Sequence, residues 1–294
     1  MIRAWLELAR ISNLPTVWTN VTAGWLLAGG ALTEPRLGWL LLAGSLLYTG
    51  GMILNDAADA RFDAVYRQER PIPQGQVRLG TAWAVGLGMM AAGGALAVLM
   101  ATAHVGITSA LVACILCYDL YHKPWSGAVW VMGACRVLLF LMAASASGTW
   151  RPHVAPALIL GAYIVGLTLV ARQEAKKGTA PLPSRLLAMS LLCIPALSSI
   201  WETLNLPLKH MIVLWHLPQL ATLLLPGLFA LWVLNALRVM RRGGPAIGQA
   251  VGLLLAGIPL VDALAVSQVS MPLACGFALL PPGLRLWQRW IAAT

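Results

Sequence analysis

Hydrophobic positions in this chain fall in long, nearly uninterrupted runs, and the polar residues gather in the short gaps between them. Crossing a hydrocarbon core of about 30 Å takes roughly 17 to 25 apolar helical residues. Runs near that length lie at 14–32, 37–55, 80–101, 104–119, 126–148, 154–171, 186–201, 212–238, 247–266 and 270–289. Their interiors are rich in Leu, Ala, Val and Gly, which suits helices that pack closely in lipid through small residues. No alternation of polar and apolar positions marks a barrel strand, and a spanning segment must satisfy its own backbone. The predicted fold is therefore all-α: a polytopic transmembrane helical bundle of nine or ten spans, forming one domain over residues 1–294.

Composition agrees: 59% of residues are hydrophobic, 10% are charged and the mean hydropathy is +0.78, against about 25% charged residues in soluble domains. The net charge of +10 would raise nucleic acid as a partner in a soluble chain. In a membrane chain the first test is where the basic residues fall. With the N-terminus inside, sixteen of the twenty lie in cytoplasmic connections, only Arg36, Arg151 and Lys209 lie outside, and Arg136 sits within a span. That split follows the retention of basic residues in cytoplasmic loops. It leaves no need for a polyanionic partner, excludes nucleic acid, and indicates a bacterial inner membrane. Cys114, Cys117, Cys135, Cys193 and Cys275 all lie in apolar stretches and read as small core residues. The N-terminal segment lacks a small-residue cleavage site, so no cleaved signal peptide is expected.

The acids are distributed more unevenly still. Four of ten, Asp56, Asp59, Asp63 and Glu69, fall within fourteen residues at the cytoplasmic end of the second span. Helix continuation through the alanines of this segment places Asn55, Asp56, Asp59 and Asp63 on one face. Carboxylates so arranged repel one another. A hard divalent cation, Mg²⁺ in particular, held by carboxylates together with substrate phosphates, would compensate; the alternative is a solvated acidic cap at the membrane edge. Arg67, Arg70 and Arg78 follow at once. Pro71, Pro73 and Gly75 stiffen the turn that carries Arg70, whose guanidinium fork matches phosphate oxygens.

These residues resemble the UbiA superfamily of intramembrane prenyltransferases, whose first aspartate-rich motif reads NDxxDxxxD and is followed by an RPxPxG-like loop. The match is complete in Asn55, Asp56, Asp59 and Asp63 and then Arg70, Pro71, Pro73 and Gly75. The entry to the first span, Arg10-Ile11-Ser12-Asn13-Leu14-Pro15-Thr16, and the segment Tyr118 to Lys123 are similar to the family as well. The resemblance implies transfer of a prenyl group from an isoprenyl diphosphate to an apolar aromatic or lipid acceptor. Asn55, Asp56, Asp59 and Asp63 would hold Mg²⁺, Asp59 and Asp63 would be catalytic, and the site would face the cytoplasm. Membrane lipids surround it, and no protein partner is required.

The chain departs from the family pattern at the second motif, of DxxxD type, where it reads Val170-Ala171-Arg172-Gln173-Glu174-Ala175-Lys176-Lys177-Gly178. One acid, Glu174, remains, as a candidate base or orienting group. Arg172 and Lys176, four apart on one face, either contact the diphosphate in place of a second metal or mark a non-catalytic lipid-binding or transport-associated relative. Lys123 and Arg136 complete the diphosphate candidates, with Asn13, Asn20 and Tyr118 as candidate cavity residues. Arg136, deep in a span, needs a partner or a cavity; Asp119 is one candidate. Asp262 is expected to make a helix–helix hydrogen bond.

Overall fold

The computed structural model describes residues 2–123, 125–175, 182–204 and 217–291, with side chains for the same residues apart from 173–175, 203 and 217–223. No strand occurs among them. A short helix α1 (Ile2–Leu8) precedes α2 (Leu14–Leu27), α3 (Pro35–Ala58) and α4 (Ala60–Tyr66). There follow α5 (Leu79–Leu99), α6 (Val105–Tyr121), α7 (Ala128–Ser145), α8 (Val154–Ala175) and α9 (Leu182–Leu204). The chain ends with α10 (Leu217–Met240), α11 (Ala246–Ala256), α12 (Ile258–Val266), α13 (Met271–Ala278) and α14 (Leu280–Trp287). Among the described residues each predicted apolar run coincides with one helix or with a broken pair; positions 212–216 of the run 212–238 lie outside them.

Six helical stretches among the described residues are long and apolar enough to cross a bilayer: Pro35–Ala58, Leu79–Leu99, Ala128–Ser145, Arg151–Arg172, Leu182–Glu202 and Ala246–Val266. The protein is an integral membrane protein. Several predicted spans are shorter or broken, for local reasons. The first was expected to reach residue 32 but stops at Leu27, because Gly29 takes φ 89° and turns the chain. Trp25 then folds over Gly30 and donates its indole N–H to the Ala31 carbonyl at 2.9 Å. The run 247–266 breaks at Gly257, two residues before Pro259, which has no N–H to continue the ladder. Carbonyls beside the break are capped by side chains: Trp232 donates to Leu253 at 2.8 Å and Tyr163 to Leu254 at 2.7 Å. Pro281 and Pro282 likewise divide the last run into α13 and α14.

One large apolar core runs through the helices, with Trp25, Phe140, Tyr163 and Phe229 at its centre. Backbones approach closely where glycine faces a neighbouring carbonyl. A Cβ at Gly24 of α2 would lie 2.3 Å from the Phe140 oxygen of α7. A smaller cluster, Ala4, Leu8, Ile53, Ala57, Val77 and Ala82, clamps α1 and the start of α5 against the end of α3. It fixes the chain around the acidic segment.

Candidate active site

The acidic segment is not one straight helix. Helix α3 ends at Ala58, Asp59 sits at the joint with φ −81° and ψ −5°, and α4 begins at Ala60. The backbone ladder nonetheless carries through, with Asp59 N–H on the Asn55 carbonyl at 3.0 Å and Asp63 N–H on the Asp59 carbonyl at 2.9 Å. Asn55, Asp56, Asp59 and Asp63 are all buried, at 6%, 6%, 8% and 1% exposure, and one Arg70 nitrogen reaches both Asp56 and Asp63 across the joint. An acidic cap facing solvent is thereby excluded.

Each acid meets a cation or an amide from another element. Asp56 Oδ1 accepts from Arg70 Nη1 at 2.5 Å and from Arg10 Nη2 at 3.2 Å. The same Arg70 nitrogen reaches Asp63 Oδ2 at 3.2 Å. Arg70 is presented by the turn expected from Pro71, Pro73 and Gly75, with Gly75 at φ 70° and Gln74 N–H bonded back to the Arg70 carbonyl at 3.1 Å. Arg10 adopts φ 43°, a left-handed conformation uncommon outside glycine, to reach Asp56 from the turn before α2. From the far side, Lys123 Nζ lies 2.8 Å from Asp59 Oδ1, and His122 Nε2 lies 3.5 Å from Asp59 Oδ2. The Lys123 ammonium also sits 3.6 Å from the centroid of the Phe62 ring, a cation–π contact.

Burial pushes the Asp59 carboxyl up, but hydrogen bonds and charge from His122 and Lys123 outweigh it and hold the group below its ordinary value. Asp63 shows the reverse balance. Burial, aided by the neighbouring charges of Asp59 and Asp56, raises it despite Arg70.

Asn55 turns the other way and donates from Nδ2 to Asp119 Oδ1 of α6 at 3.2 Å. Asp119 stands at the polar end of an apolar cavity of about 80 Å³ between α3, α6 and α7, walled by Met52, Leu111, Ile115 and Leu139. Tyr118 lines the same cavity, as expected, and stacks on His122 with ring centroids 5.0 Å apart. Arg136 lines it too, yet its hydrogen bonds go to Thr16 of α2, from Nη2 to Oγ1 at 3.0 Å and from Nη1 to the carbonyl at 3.3 Å. Asp119 is not its partner. Asp262 makes the expected helix–helix bond, accepting from Thr19 at 2.6 Å.

The structure brings together Asn55, Asp56, Asp59, Asp63, Arg70 and Lys123, with Tyr118 beside them through His122, and leaves Arg136 and Arg172 bonded elsewhere. Arg172 does not turn toward the acids. Its guanidinium donates to the carbonyls of His122 at 2.9 Å, Trp125 at 2.8 Å and Ser126 at 2.7 Å. Three carbonyls at the end of α6 hold it against the connecting loop, which answers its charge without a phosphate. Lys176 and the Glu174 side chain lie outside the described residues. Asn13 is buried at the start of α2 and accepts from Gln288 Nε2 at 3.4 Å. Asn20 is fully buried but lines neither this cavity nor the opening beyond Arg10.

Sequence reasoning put Asp119 and His122 near the site without giving them a role, and passed over Arg10. Arg10 lay in the quoted entry motif, and its pairing with Asp56, 46 positions away, is a tertiary fact.

Oxygen donors suit a hard cation, and two of them are spare: Asp63 Oδ1 and Asp119 Oδ2 are buried with no hydrogen-bond partner. Their chemistry fits Mg²⁺. The acids as they stand are satisfied by Arg and Lys, and among the described residues no three His, Cys, Asp or Glu groups gather closely enough to hold a metal by themselves.

Helices, acids and arginines thus define an intramembrane bundle with a buried cluster of carboxylates and basic side chains at one end of an apolar cavity. The model of the UbiA prenyltransferase family matches residues 16–247, and the chain belongs to that family. It is 33% identical over 177 residues to the digeranylgeranylglyceryl phosphate synthase of Methanopyrus kandleri, covering 56% of this chain and 60% of that protein. The synthase of the same name from Methanoculleus marisnigri is 30% identical over 130 residues, covering 44% and 46%. The chain spans about half the length of these curated relatives. Two solved UbiA homologues share the fold. The apo protein from Aeropyrum pernix K1 has TM-score 0.63 and 17% identity, covering 89% of this chain and 98% of that one. The Archaeoglobus fulgidus protein, bound to GPP and Mg²⁺, has TM-score 0.63 and 15% identity, covering 96% and 99%.

Proposed function

We propose that this protein transfers a prenyl group from an isoprenyl diphosphate to a lipid acceptor in the membrane, in a Mg²⁺-dependent reaction at the cytoplasmic side. The observation that carries the reading is the buried head itself: three aspartates, two arginines and a lysine gathered beside the polar end of an apolar cavity. The sequence relatives support the lipid arm of the acceptor choice, since their names specify a glyceryl phosphate product.

The apolar cavity, about 80 Å³, would take the first carbons of the prenyl chain, with the diphosphate toward Asp119 and the acidic segment. Asn55, Asp56, Asp59 and Asp63 would hold Mg²⁺, with the free oxygens of Asp63 and Asp119 available to it or to its water. When bound, the metal neutralises negative charge on the departing diphosphate. Arg70 and Lys123 approach the same acids and are placed to bind diphosphate oxygens once the metal takes the carboxylates. The C–O bond at the allylic carbon breaks with its electron pair going to the diphosphate; the acceptor oxygen bonds to that carbon, and its proton passes to the diphosphate or to solvent. Apolar walls at Leu111, Ile115 and Leu139 keep water from the allylic cation.

Membranes containing the protein, given labelled geranyl, farnesyl and geranylgeranyl diphosphates with aromatic and glycerophosphate acceptors, test this. Prenylated product should form with Mg²⁺, disappear with EDTA, and fall by about a hundredfold or more in Asp59→Ala, as befits loss of a charge-stabilising group. Binding of the diphosphate that needs Mg²⁺ and Asp59 but never yields product would instead establish a non-catalytic lipid-binding protein, the reading that the altered second motif favours.

A further inference from the structure

A second cavity opens beside Asp56 and shares no lining residue with the apolar one. It is the larger, about 560 Å³, and its walls carry five arginines: Arg3, Arg10, Arg67, Arg70 and Arg289. Three acids also face it. Glu7 is engaged by Arg3 at 2.8 Å, and Asp56 is shared by Arg10 and Arg70. Glu69 is the third. Five positive charges thus meet three negative ones, and Arg67 and Arg289 carry no side-chain hydrogen bond or ion pair among the described residues. A concave wall with surplus guanidinium donors attracts a phosphate group.

The floor of this vestibule is fixed. Arg10 and Arg70 side chains are only 20% and 13% exposed, and both are tied to Asp56. The rim is amphipathic. Beyond Arg289 stands Trp290, 79% exposed, and Leu286 of α14 is 57% exposed. Exposed Trp and Leu next to a charged opening is the arrangement expected where a protein meets the lipid headgroup boundary. The end of α14 is held to the entry of α2 by the Gln288 to Asn13 bond at 3.4 Å, so the arginine wall and the apolar rim form one built opening.

We propose that this vestibule, whose floor of Asp56, Arg10 and Arg70 belongs to the aspartate head, carries a second anion site on its outer arginines Arg3, Arg67 and Arg289, and that this site receives the phosphate monoester headgroup of the lipid acceptor while the acceptor's tail runs past Trp290 into the bilayer. The assignment rests on the prenyl-transfer reading and deepens it by naming the acceptor's chemistry. Donor and acceptor would then meet at the shared floor, where Arg10 and Arg70 hold Asp56. The donor's diphosphate lies on the Asp119 side and the acceptor's phosphate among the arginines. Inorganic phosphate offers the same chemistry without a tail.

The test uses the full chain in dodecyl maltoside micelles, with binding of octyl phosphate, octanol and inorganic phosphate followed by calorimetry, and Mg²⁺-dependent binding of geranyl diphosphate measured on the same preparations. The variant is Arg67→Gln with Arg289→Gln, neither residue belonging to the catalytic head, and thermal unfolding checks that it folds. Octyl phosphate should bind the wild type more tightly than inorganic phosphate or octanol. The double variant should weaken octyl phosphate by about tenfold or more, as loss of charge-assisted hydrogen bonds predicts, and leave geranyl diphosphate within about twofold. In turnover, KM for a phosphorylated acceptor should rise while KM for the prenyl diphosphate stays put. Parallel weakening of both ligands would make the vestibule the donor's own site and overturn the proposal. So would unchanged octyl phosphate affinity, or inorganic phosphate binding as well as octyl phosphate. Failure of the wild type to bind geranyl diphosphate with Mg²⁺ would instead strike the prenyl-transfer reading, whatever the octyl phosphate result.

Discussion

Single side chains at the head do more than one task, and Arg70 is the clearest case. One of its nitrogens bonds both Asp56 and Asp63, while Asp63 keeps its other oxygen free. Asp56 has a second cation in Arg10, but among the described residues Asp63 has only Arg70. Replacing Arg70 by Met therefore strands the Asp63 carboxylate at 1% exposure, and removal of one partner of a buried pair costs about 3 to 5 kcal/mol. The expected outcome is a lower thermal midpoint in detergent, with much of the loss recovered when Asp63→Asn is added. A double-mutant cycle reads the coupling directly, and additive losses would contradict the pairing. The acid spacing and the Pro-Gly turn were legible in sequence because each is local. Which acid Arg70 would grip, and that Arg10 would join it in a left-handed conformation, depended on folding of segments tens of residues apart.

Among the elements, the connection from α6 to α7 owes its shape to Arg172 at the end of α8. Three loop carbonyls converge on one guanidinium, and the residues so held include His122, whose ring and whose neighbour Lys123 both face Asp59. We expect Arg172→Gln to release that loop and raise KM for the prenyl diphosphate by about tenfold, as loss of charge-assisted bonds would. Arg172→Lys should rescue little, since a single ammonium cannot span carbonyls that a planar fork reaches. Steady-state kinetics on Arg172→Gln, Lys123→Met and the pair distinguish indirect from direct action. If Arg172 works through the loop, the double variant loses no more than Lys123→Met alone; a multiplied loss would return Arg172 to the phosphate. A basic residue four positions from Lys176 invited a phosphate role, because sequence shows where the charges lie and not which oxygens receive their donors. The helix breaks at Gly257 and Pro281 were hidden for a related reason. Apolar runs record what contacts lipid or core, and a kink capped by Trp232 and Tyr163 leaves the hydropathy of the run unchanged.

At the scale of the molecule, the site depends on how closely the helices approach, and that is set by small residues at crossings. Helices α2 and α7 meet where Gly24 lies under the Phe140 carbonyl. The same pair holds Thr16 against Arg136 at the apolar cavity. Adding a methyl group at Gly24 puts a Cβ 2.3 Å from that oxygen, a distance that only a shift of the backbones relieves. Gly24→Ala should therefore destabilise by about 1 to 3 kcal/mol, the usual cost of overpacking. The displaced α2 should also loosen the Thr16–Arg136 contact. Gly38, near the start of α3, supplies the control, since its added Cβ meets nothing within 4 Å. Alanine there gains helix propensity, by about 0.5 to 1 kcal/mol. Thermal unfolding of the two variants in one detergent should move in opposite directions. Equal shifts would mean that glycine serves backbone freedom alone at both places, and that the crossing of α2 on α7 is not what keeps Arg136 at the cavity wall.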